Sequence, residues 1–530
     1  MATAAPTRGF CKSKGEAVRV HANVSIPEKE SHLTAGLAGA SRYGCVALSD
    51  GQQLLGVCEQ QSVTRTRGAG FNGSGLPDDA LDTMLERLGR TRNDVGRYVI
   101  AETGTDPVNG PAVSRINPHF AHARSAYLCS PFSSATIIVC DQTSPKVSVW
   151  KGCGAAVTPI EWPWRGPGFV DLYSACAAML GFASEGGDQR FEALARTSPT
   201  CTDRRLSQLL TTDGTALTTA ANWQASVEDW LRAESNGQSH PSPRVAASLQ
   251  NRIGELFLEF LTQVKRQETP GHLCLAGTFF YHSSMITLAK GANLFSDVFV
   301  PPDPGNAGLA VGAALEASGC APKTVSPFLG PAYDETEIKG TLDNCKLQYD
   351  WENDDEVIDA AVQALCKGRL VGWFEGPKEW GPRALGGRSI LASPLSPYVL
   401  ENLNRFLKRR EPWRGYALSA PDEFLHTQFE GPDQAPFMEC DYRPLDTGRF
   451  RHILPSPDAV IRVQSVGRHA PPRFSRLIER FGAKTGVPCL VNTSFNGFNE
   501  PMVCNPRDAV RVFYGSGVDM AVIERFVLSK

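Results

Sequence analysis

Glu379-Trp-Gly-Pro-Arg-Ala-Leu-Gly-Gly-Arg-Ser389 decides how the last third of this chain is read. Glycines and a proline set tight turns around Arg383 and Arg388, and two further segments follow: Lys408-Arg-Arg410 with Arg414, and Asn492-Thr-Ser-Phe-Asn496. A guanidinium grips a phosphate through two parallel charge-assisted hydrogen bonds, and a lysine adds a point charge. A Ser-x-Asn turn contributes a hydroxyl and an amide that can read a nucleotide. Together these groups suit several phosphates. Ion pairs of Arg383, Arg388, Arg410 and Arg414 with Glu375, Glu379 and Glu411 are the alternative fate of such arginines.

Composition narrows the class without deciding the chemistry. At 530 residues the chain has length for roughly three or four domains. Its 42% hydrophobic and 21% charged residues are ordinary for a globular protein. A net charge of -3 gives no general basic field, so a protein devoted to nucleic acid is disfavoured and the clustered arginines need a local reason. No apolar run is long enough to span a bilayer, and the N-terminus has no signal-peptide core. The fifteen cysteines lack Cys-x-x-Cys spacing, and Cys140, Cys274 and Cys489 sit in apolar runs. They are expected as reduced core thiols of a cytoplasmic protein.

Along the chain, residues 1 to 38 are polar and without period and are expected to be a poorly ordered extension. Cys45 to Leu48 with Leu54 to Cys58, and Thr136 to Cys140 with Val147 to Trp150, read as hairpins. Two such hairpins, each followed by helical sequence, predict two related α/β halves. Arg244 to Gln267 carries Val245, Leu249, Ile253, Leu256, Phe257, Phe260, Leu261 and Val264 on one helical face. His272 to Ala276 reads as a buried strand, and Phe299 to Gly308 as a loop opening a small-residue helix at Leu309 to Ala317. Pro322 to about Thr341 reads as a linker. Asp355 to Lys367 is then a helix and Arg369 to Phe374 a strand.

The C-terminal pattern resembles the YrdC-like domain of the NodU/CmcH-type O-carbamoyltransferases. The likeness runs through Leu370-Val-Gly-Trp-Phe-Glu-Gly376, Gly381-Pro-Arg-Ala-Leu-Gly386, Arg388-Ser-Ile390, Asn404-Arg405, Lys408 to Glu411, Arg414, Gly486-Val-Pro488, Asn492 to Asn496 and Glu500-Pro501. By that resemblance Lys408, Arg410, Ser494 and Asn496 form a Lys-x-Arg and Ser-x-Asn tetrad that binds nucleotide phosphates and the carbamoyl group. Arg383 and Arg388 are then candidates for carbamoyl phosphate, with Arg414 beside them.

Residues 39 to 335 resemble the same family's actin-like (ASKHA) transfer lobe. The frame is carried by His122-Ala-Arg-Ser-Ala-Tyr127, Ile138-Val-Cys-Asp141, Leu180-Gly181, Ala246-Ala-Ser-Leu-Gln250, Leu273-Cys-Leu-Ala-Gly277 and Gly305-Asn-Ala-Gly308. The chemistry-bearing positions diverge. Ser41-Arg-Tyr43 stands where the family has Gly-His-Asp, and Pro118-His119-Phe-Ala-His122-Ala where it has His-His-x-x-His-Ala. Asp141-Gln-Thr-Ser-Pro replaces Asp-Gly-x-Gly-Glu, and Asn306 replaces the aspartate of Gly-Asp-Ala-Gly. Glu185 to Ala195 departs from the family's Glu-Gly-Lys run. Gly277-Thr-Phe-Phe-Tyr-His282 puts bulk where Gly-Gly-Val-Ala-Leu-Asn lets backbone approach phosphate.

The resemblance implies an α/β protein with an actin-like lobe of two related halves at 39–335, then a YrdC-like twisted-sheet domain at 345–530. It implies an ATP-dependent carbamoyltransferase that uses ATP with Mg2+ and carbamoyl phosphate, forms a carbamoyl-adenylate, and transfers to a small-molecule natural product such as an antibiotic. The C-terminal part is expected to perform activation by itself. His122 or Asp141 would draw the proton from the acceptor hydroxyl or amine. Family members hold a transition metal in the transfer lobe with two histidines one helical turn apart and two aspartates. Pro118 and Asn306 remove two of those ligands, so none is expected here unless His119 and His282 rebuild a site. No nucleic-acid or membrane partner is expected, and a homodimer stays open. Two alternatives compete: a repurposed first lobe serving another ATP-driven transfer or condensation, and a non-catalytic partner-binding or regulatory homologue.

Overall fold

Small apolar residues build the centre of the first sheet. Leu33–Ala38 (β1) is buried along its whole length, and a Cβ at Gly36 would stand 2.1 Å from the Ala310 carbonyl oxygen of an overlying helix. The computed structural model of this chain describes residues 32–102, 113–234, 241–267, 269–322, 324–467 and 469–530. The extension expected up to residue 38 therefore needs correction at its C-terminal end, because residues 33–38 are a core strand. Residues 1–31 lie outside the described residues. Leu-Thr-Ala-Gly-Leu-Ala is too short and too poor in bulky residues for its burial to show as a period.

The strands Cys45–Ser49 (β2), Leu54–Glu59 (β3), Val95–Ala101 (β4) and Val113–Ile116 (β5) complete this sheet in the order β3-β2-β1-β4-β5. Its hairpin strands run antiparallel and β1, β4 and β5 run parallel. The second half opens with Ser134–Cys140 (β6), Val147–Cys153 (β7) and Ala156–Ile160 (β8). A short hairpin, Leu210–Thr212 (β9) with Leu217–Thr219 (β10), intervenes before His272–Ala276 (β11) and Asp297–Phe299 (β12). The order β12-β11-β6-β7-β8 repeats the first sheet strand for strand, again with an antiparallel hairpin beside a parallel run. Both expected hairpins are present, and the repeated topology is that of an actin-like lobe.

Two helices cross between the halves. Pro118–Leu128 starts from Asn117, whose side chain accepts from the Phe120 N–H at 3.1 Å. Asn306–Ser318 lies against it so closely that a Cβ at Gly312 would be 1.9 Å from the Ala121 carbonyl oxygen. The long helix Pro243–Lys265 buries the expected apolar face.

The remaining strands form one ten-stranded sheet. They are Asp350–Trp351 (β13), Val371–Phe374 (β14), Arg388–Ala392 (β15), Ala417–Pro421 (β16), Phe429–Glu430 (β17), Cys440–Pro444 (β18), Ile461–Val466 (β19), Leu490–Ser494 (β20), Met520–Ile523 (β21) and Phe526–Ser529 (β22). Their order is β13-β22-β21-β14-β15-β20-β16-β19-β18-β17. Helices Asp354–Cys366 and Pro472–Thr485 share a core with Trp373 and Leu391 of this sheet. A second core runs without a break from Ile138, Phe169, Phe257 and Phe279 of the first lobe into Phe374, Ile390 and Val491.

The expected linker is pinned in its middle. Gly330 N–H donates to the Lys378 carbonyl at 2.8 Å, Lys378 N–H to Pro331 at 3.1 Å and Trp380 N–H to Pro327 at 2.9 Å. A helix, Glu335–Asn344, already starts inside it on an Asp334 capping box. Among the described residues every cysteine is a free thiol. No helix of the described residues is long and apolar enough to cross a membrane.

Candidate active site

The loop Glu375 to Gly387 is organised from inside. Glu379 is fully buried, and one of its carboxylate oxygens accepts the backbone N–H groups of Leu385 at 2.7 Å and of Gly387 and Arg388 at 3.2 Å. Gly381 has φ +95°, and a Cβ there would lie 2.7 Å from the Pro302 carbonyl oxygen, so the loop presses its backbone onto the first lobe. Arg383 is thereby turned toward that lobe and donates to the Tyr281 carbonyl at 3.1 Å.

Arg383, Arg410, Arg414 and Ser494 meet in one cavity of about 170 Å³. Gln189, Glu192 and Arg196 of the first lobe, and Arg462 of β19, complete its charged and polar wall. Arg410 rests with its guanidinium carbon 4.3 Å from the Tyr416 ring centroid, and its Nε donates to Tyr416 Oη at 3.1 Å and Asn404 Oδ1 at 3.3 Å. Arg414 lies 3.7 Å from Glu411 and is pushed down to about 10 by burial and then by Arg410. Glu192 is held well below the usual carboxylate range: burial opposes ionisation, but Arg196 at 2.6 Å and His282 outweigh it.

Charge balance suits this cavity to an anion. Arg196 is matched by Glu192 and by Asp441 at 2.9 Å. Arg383, Arg410 and Arg462 form no ion pair among the described residues, and the Arg462 side chain forms no hydrogen bond there either. Enclosure, then the neighbouring Arg383 and Arg196, push the Arg462 guanidinium well below its ordinary value. An anion that enters relieves this crowding. Arg462 and Arg196 were not legible as site residues beforehand. The signals were an arginine in the otherwise apolar and neutral Ile461-Arg-Val-Gln-Ser-Val466, and one closing the apolar face of helix Gly187–Ala195.

Lys408 and Asn496 stand behind Ser494. Lys408 Nζ donates to the Ser494 carbonyl at 2.7 Å, to the Asn496 carbonyl at 3.1 Å and to Asn496 Oδ1. Ser494 Oγ donates to the same Oδ1 at 2.7 Å, and Asn496 Nδ2 donates to the Glu500 carbonyl at 2.6 Å. All three ammonium donors are thus committed, and burial, helped by Arg410, holds Lys408 well below the ordinary lysine value. This corrects the expected tetrad: only Arg410 and Ser494 line the cavity, while Lys408 and Asn496, expected to bind nucleotide, shape the Ser494–Asn496 turn behind it.

Arg388 is a correction. The antiparallel register of β14 and β15 sets it opposite Phe374, so it is fully buried with its guanidinium carbon 3.4 Å from the Phe374 ring centroid. Its donors serve the carbonyls of Glu375, Gly376, Gly387 and Pro331, and burial pushes it down to about 10. It braces the loop and does not line the cavity.

The first lobe places His122 beside Asp141. His122 comes from helix Pro118–Leu128 and Asp141 directly follows β6, leaving His122 Nε2 3.9 Å from Asp141 Oδ2, both buried. Both ring nitrogens of His122 and Nε2 of His119 are buried without a hydrogen-bond partner. His119 Nδ1 meets Ser148 Oγ at 2.6 Å. Burial lowers His122 to about 4 despite Asp141. For Asp141 burial acts upward, but His122 and the donors of Thr278 prevail and bring it to about 2. A neutral imidazole therefore faces an ionised carboxylate, an arrangement able to accept a proton.

Part of the bulk in Gly277 to His282 is taken up by the core. Phe279 and Phe280 turn into the aromatic core around Phe257, while Thr278 N–H and Oγ1 donate to Asp141 Oδ1 at 3.2 and 2.8 Å. Gly277 allows this with φ +100°, its α-carbon packed on the Cys140 backbone.

The donor set does not fit the family's transition metal. Asp141 Oδ2 already accepts from Thr143 Oγ1 at 3.1 Å. Asn306 Nδ2 donates to the carbonyls of Arg42 and Tyr43, each at 3.2 Å. His282 stacks on Tyr173 at 3.8 Å and faces Glu192, away from this pair. No cluster of three ligating side chains occurs among the described residues. His122 and Asp141, even with the unpartnered His119 Nε2, leave part of a four- to six-coordinate shell to water. Chain purified without chelator is expected to carry well under one transition metal per molecule by elemental analysis, and Asn306→Asp with Pro118→His to carry more. Near-stoichiometric metal in the unmodified chain would overturn this assignment.

Comparison with known proteins agrees with this layout. The family description "Carbamoyltransferase N-terminus" matches residues 99–315, and "Carbamoyltransferase C-terminus" matches residues 362–530. The chain is 31% identical over 468 residues to uncharacterized protein sll1178 of Synechocystis sp., covering 78% of this chain and 75% of that protein. It is 33% identical over 297 residues to nodulation protein NolO of Bradyrhizobium diazoefficiens, covering 54% of each. It is 30% identical over 293 residues to the 3'-hydroxymethylcephem-O-carbamoyltransferase of Amycolatopsis lactamdurans, again 54% of each. Matches to both halves, in chain order, over an actin-like lobe and an arginine-lined C-terminal domain, mean that this chain belongs to the NodU/CmcH carbamoyltransferase family and is an enzyme that transfers carbamoyl groups.

Proposed function

We propose that the chain activates carbamoyl phosphate with ATP in the arginine cavity and passes the carbamoyl group to a small-molecule hydroxyl or amine at His122 and Asp141. The observation that carries this reading is the excess of cations around Ser494: Arg383, Arg410 and Arg462, without ion pairs among the described residues, beside Arg414. Water first takes the phosphoryl group from carbamoyl phosphate, leaving carbamate and phosphate. A carbamate oxygen then attacks the α-phosphorus of ATP, pyrophosphate leaves, and carbamoyl-adenylate forms. Magnesium enters with ATP. The prearranged guanidinium groups stabilise the negative charge that develops at phosphorus.

In the second step the acceptor attacks the carbamoyl carbon, the bond to the AMP oxygen breaks, and His122 accepts the acceptor's proton. The adenylate is labile in water, so transfer inside the protein is required. Helix Gly187–Ala195 of the first lobe contributes Gln189, Glu192 and Ala193 to the activation cavity. For that reason residues 340–530 alone are no longer expected to activate carbamoyl phosphate. A small natural product is favoured as the acceptor because the comparison includes an enzyme named for a cephem.

The test is pyrophosphate release. Full-length chain with magnesium, ATP and carbamoyl phosphate is expected to yield pyrophosphate and AMP, and to yield neither when carbamoyl phosphate is omitted. Absence of carbamoyl-phosphate-dependent pyrophosphate would overturn the reading and favour a non-catalytic role.

A further inference from the structure

Resting on that reading, we propose that Tyr281 is a positioning residue that couples activation to transfer: one loop, fixed by its hydroxyl, holds Arg383 in the first site and Asp141 in the second. The loop Gly277 to His282 leaves β11 and reaches both places within a few residues. Thr278 gives two hydrogen bonds to Asp141 Oδ1. The Tyr281 carbonyl receives Arg383 Nη2 at 3.1 Å. Just beyond, His282 faces Glu192, and Ser283 Oγ lies 2.5 Å from Arg196 Nη2 and 2.8 Å from Asp441, so the loop continues into the charged cavity wall.

What fixes this loop is the Tyr281 hydroxyl. It donates to Asp303 Oδ1 at 2.5 Å, and the same oxygen accepts the Gly305 N–H at 2.7 Å. Asp303 Oδ2 accepts the Ala307 N–H at 3.2 Å, in the first turn of the helix that begins with Asn306. Asp303 is 3% exposed. Its Cβ would lie 3.1 Å from a Cβ at Gly381, on the loop that carries Arg383. The hydroxyl also has a place made for it: a Cβ at Gly305 would stand 2.0 Å from Tyr281 Oη. One buried hydrogen bond therefore ties together the support of Arg383, the support of Asp141 and the start of the helix bearing Asn306. A phenylalanine at 281 keeps the ring and the carbonyl and frees only the hydroxyl end.

The test separates the two steps in the full chain, with hydroxylamine as the small nucleophile. Its nitrogen attacks the carbamoyl carbon of the adenylate, AMP leaves, and hydroxyurea forms. With Tyr281→Phe, both steps are expected to suffer: pyrophosphate release falls about threefold, and hydroxyurea formed per pyrophosphate falls about tenfold further, as small misplacements of reacting groups do. Asp303→Asn keeps an oxygen that can accept from Tyr281 but turns its NH2 against the Ala307 N–H, so it is expected to lower the ratio by less than Tyr281→Phe does. An unchanged ratio in Tyr281→Phe overturns the proposal. A loss of pyrophosphate release as deep as in Arg410→Ala also overturns it, since Tyr281 would then serve the activation cavity alone. No carbamoyl-phosphate-dependent pyrophosphate from the unmodified chain would instead sink the underlying reading, and this inference with it.

Discussion

Arg410→Ala is expected to remove carbamoyl-phosphate-dependent pyrophosphate release while leaving the fold intact. Arg410 has no acidic partner among the described residues, is stacked on Tyr416, and is presented to the cavity by a backbone that turns left-handed at Arg409, φ +46°. Truncating one partner of a buried, charge-assisted contact costs about 2 to 5 kcal/mol, a decrease on the order of 30- to several thousand-fold. The variant leaves no unpaired carboxylate behind, so its melting temperature is expected to change little. Arg388→Ala is the informative contrast. That side chain satisfies four backbone carbonyls and is fully buried. Its loss should therefore lower thermal stability as well as activity. Folded Arg410→Ala protein with unchanged pyrophosphate release would remove the cavity from the mechanism.

His122→Ala is expected to do the reverse. Pyrophosphate release continues, and carbamoyl transfer to an acceptor falls by about 10²- to 10⁴-fold, the usual contribution of a positioned base. The pH dependence follows from the direction of its shift. Burial holds His122 near 4, so the imidazole is the neutral, proton-accepting form at neutral and mildly acidic pH. Its acid limb should therefore lie near pH 4 and not at the 6.5 of an ordinary histidine. Because the folded value is depressed, the fold favours the neutral form. That contribution to stability is complete above the unfolded value and is lost as pH falls from there toward 4. Loss of pyrophosphate release in His122→Ala as well would show that the two sites are one.

Much of this protein was determined locally. The two hairpins, the helix Pro243–Lys265 and the turns around Gly381-Pro-Arg-Ala-Leu-Gly386 follow from side-chain period and backbone restriction, which act over a few residues. The same holds for the identity of the phosphate-binding types in Lys408 to Arg414 and Asn492 to Asn496. Leu33–Ala38 escaped because its burial comes from the close approach of helix Asn306–Ser318, a contact made far along the chain. Tertiary structure alone decided which arginines line the cavity. Arg388 was removed from the site by the strand register that sets it against Phe374. Arg196 and Arg462 were added because helix Gly187–Ala195 and β19 converge on Ser494. It also decided that Phe279 and Phe280 fill core and not the transfer site, and that Asn306 serves two carbonyls. The physical reason is common to all of these. A side chain's type sets what it can bond, but its desolvation and the charges beside it depend on neighbours that only the folded chain brings together, and those terms choose between a brace and a cavity-lining group.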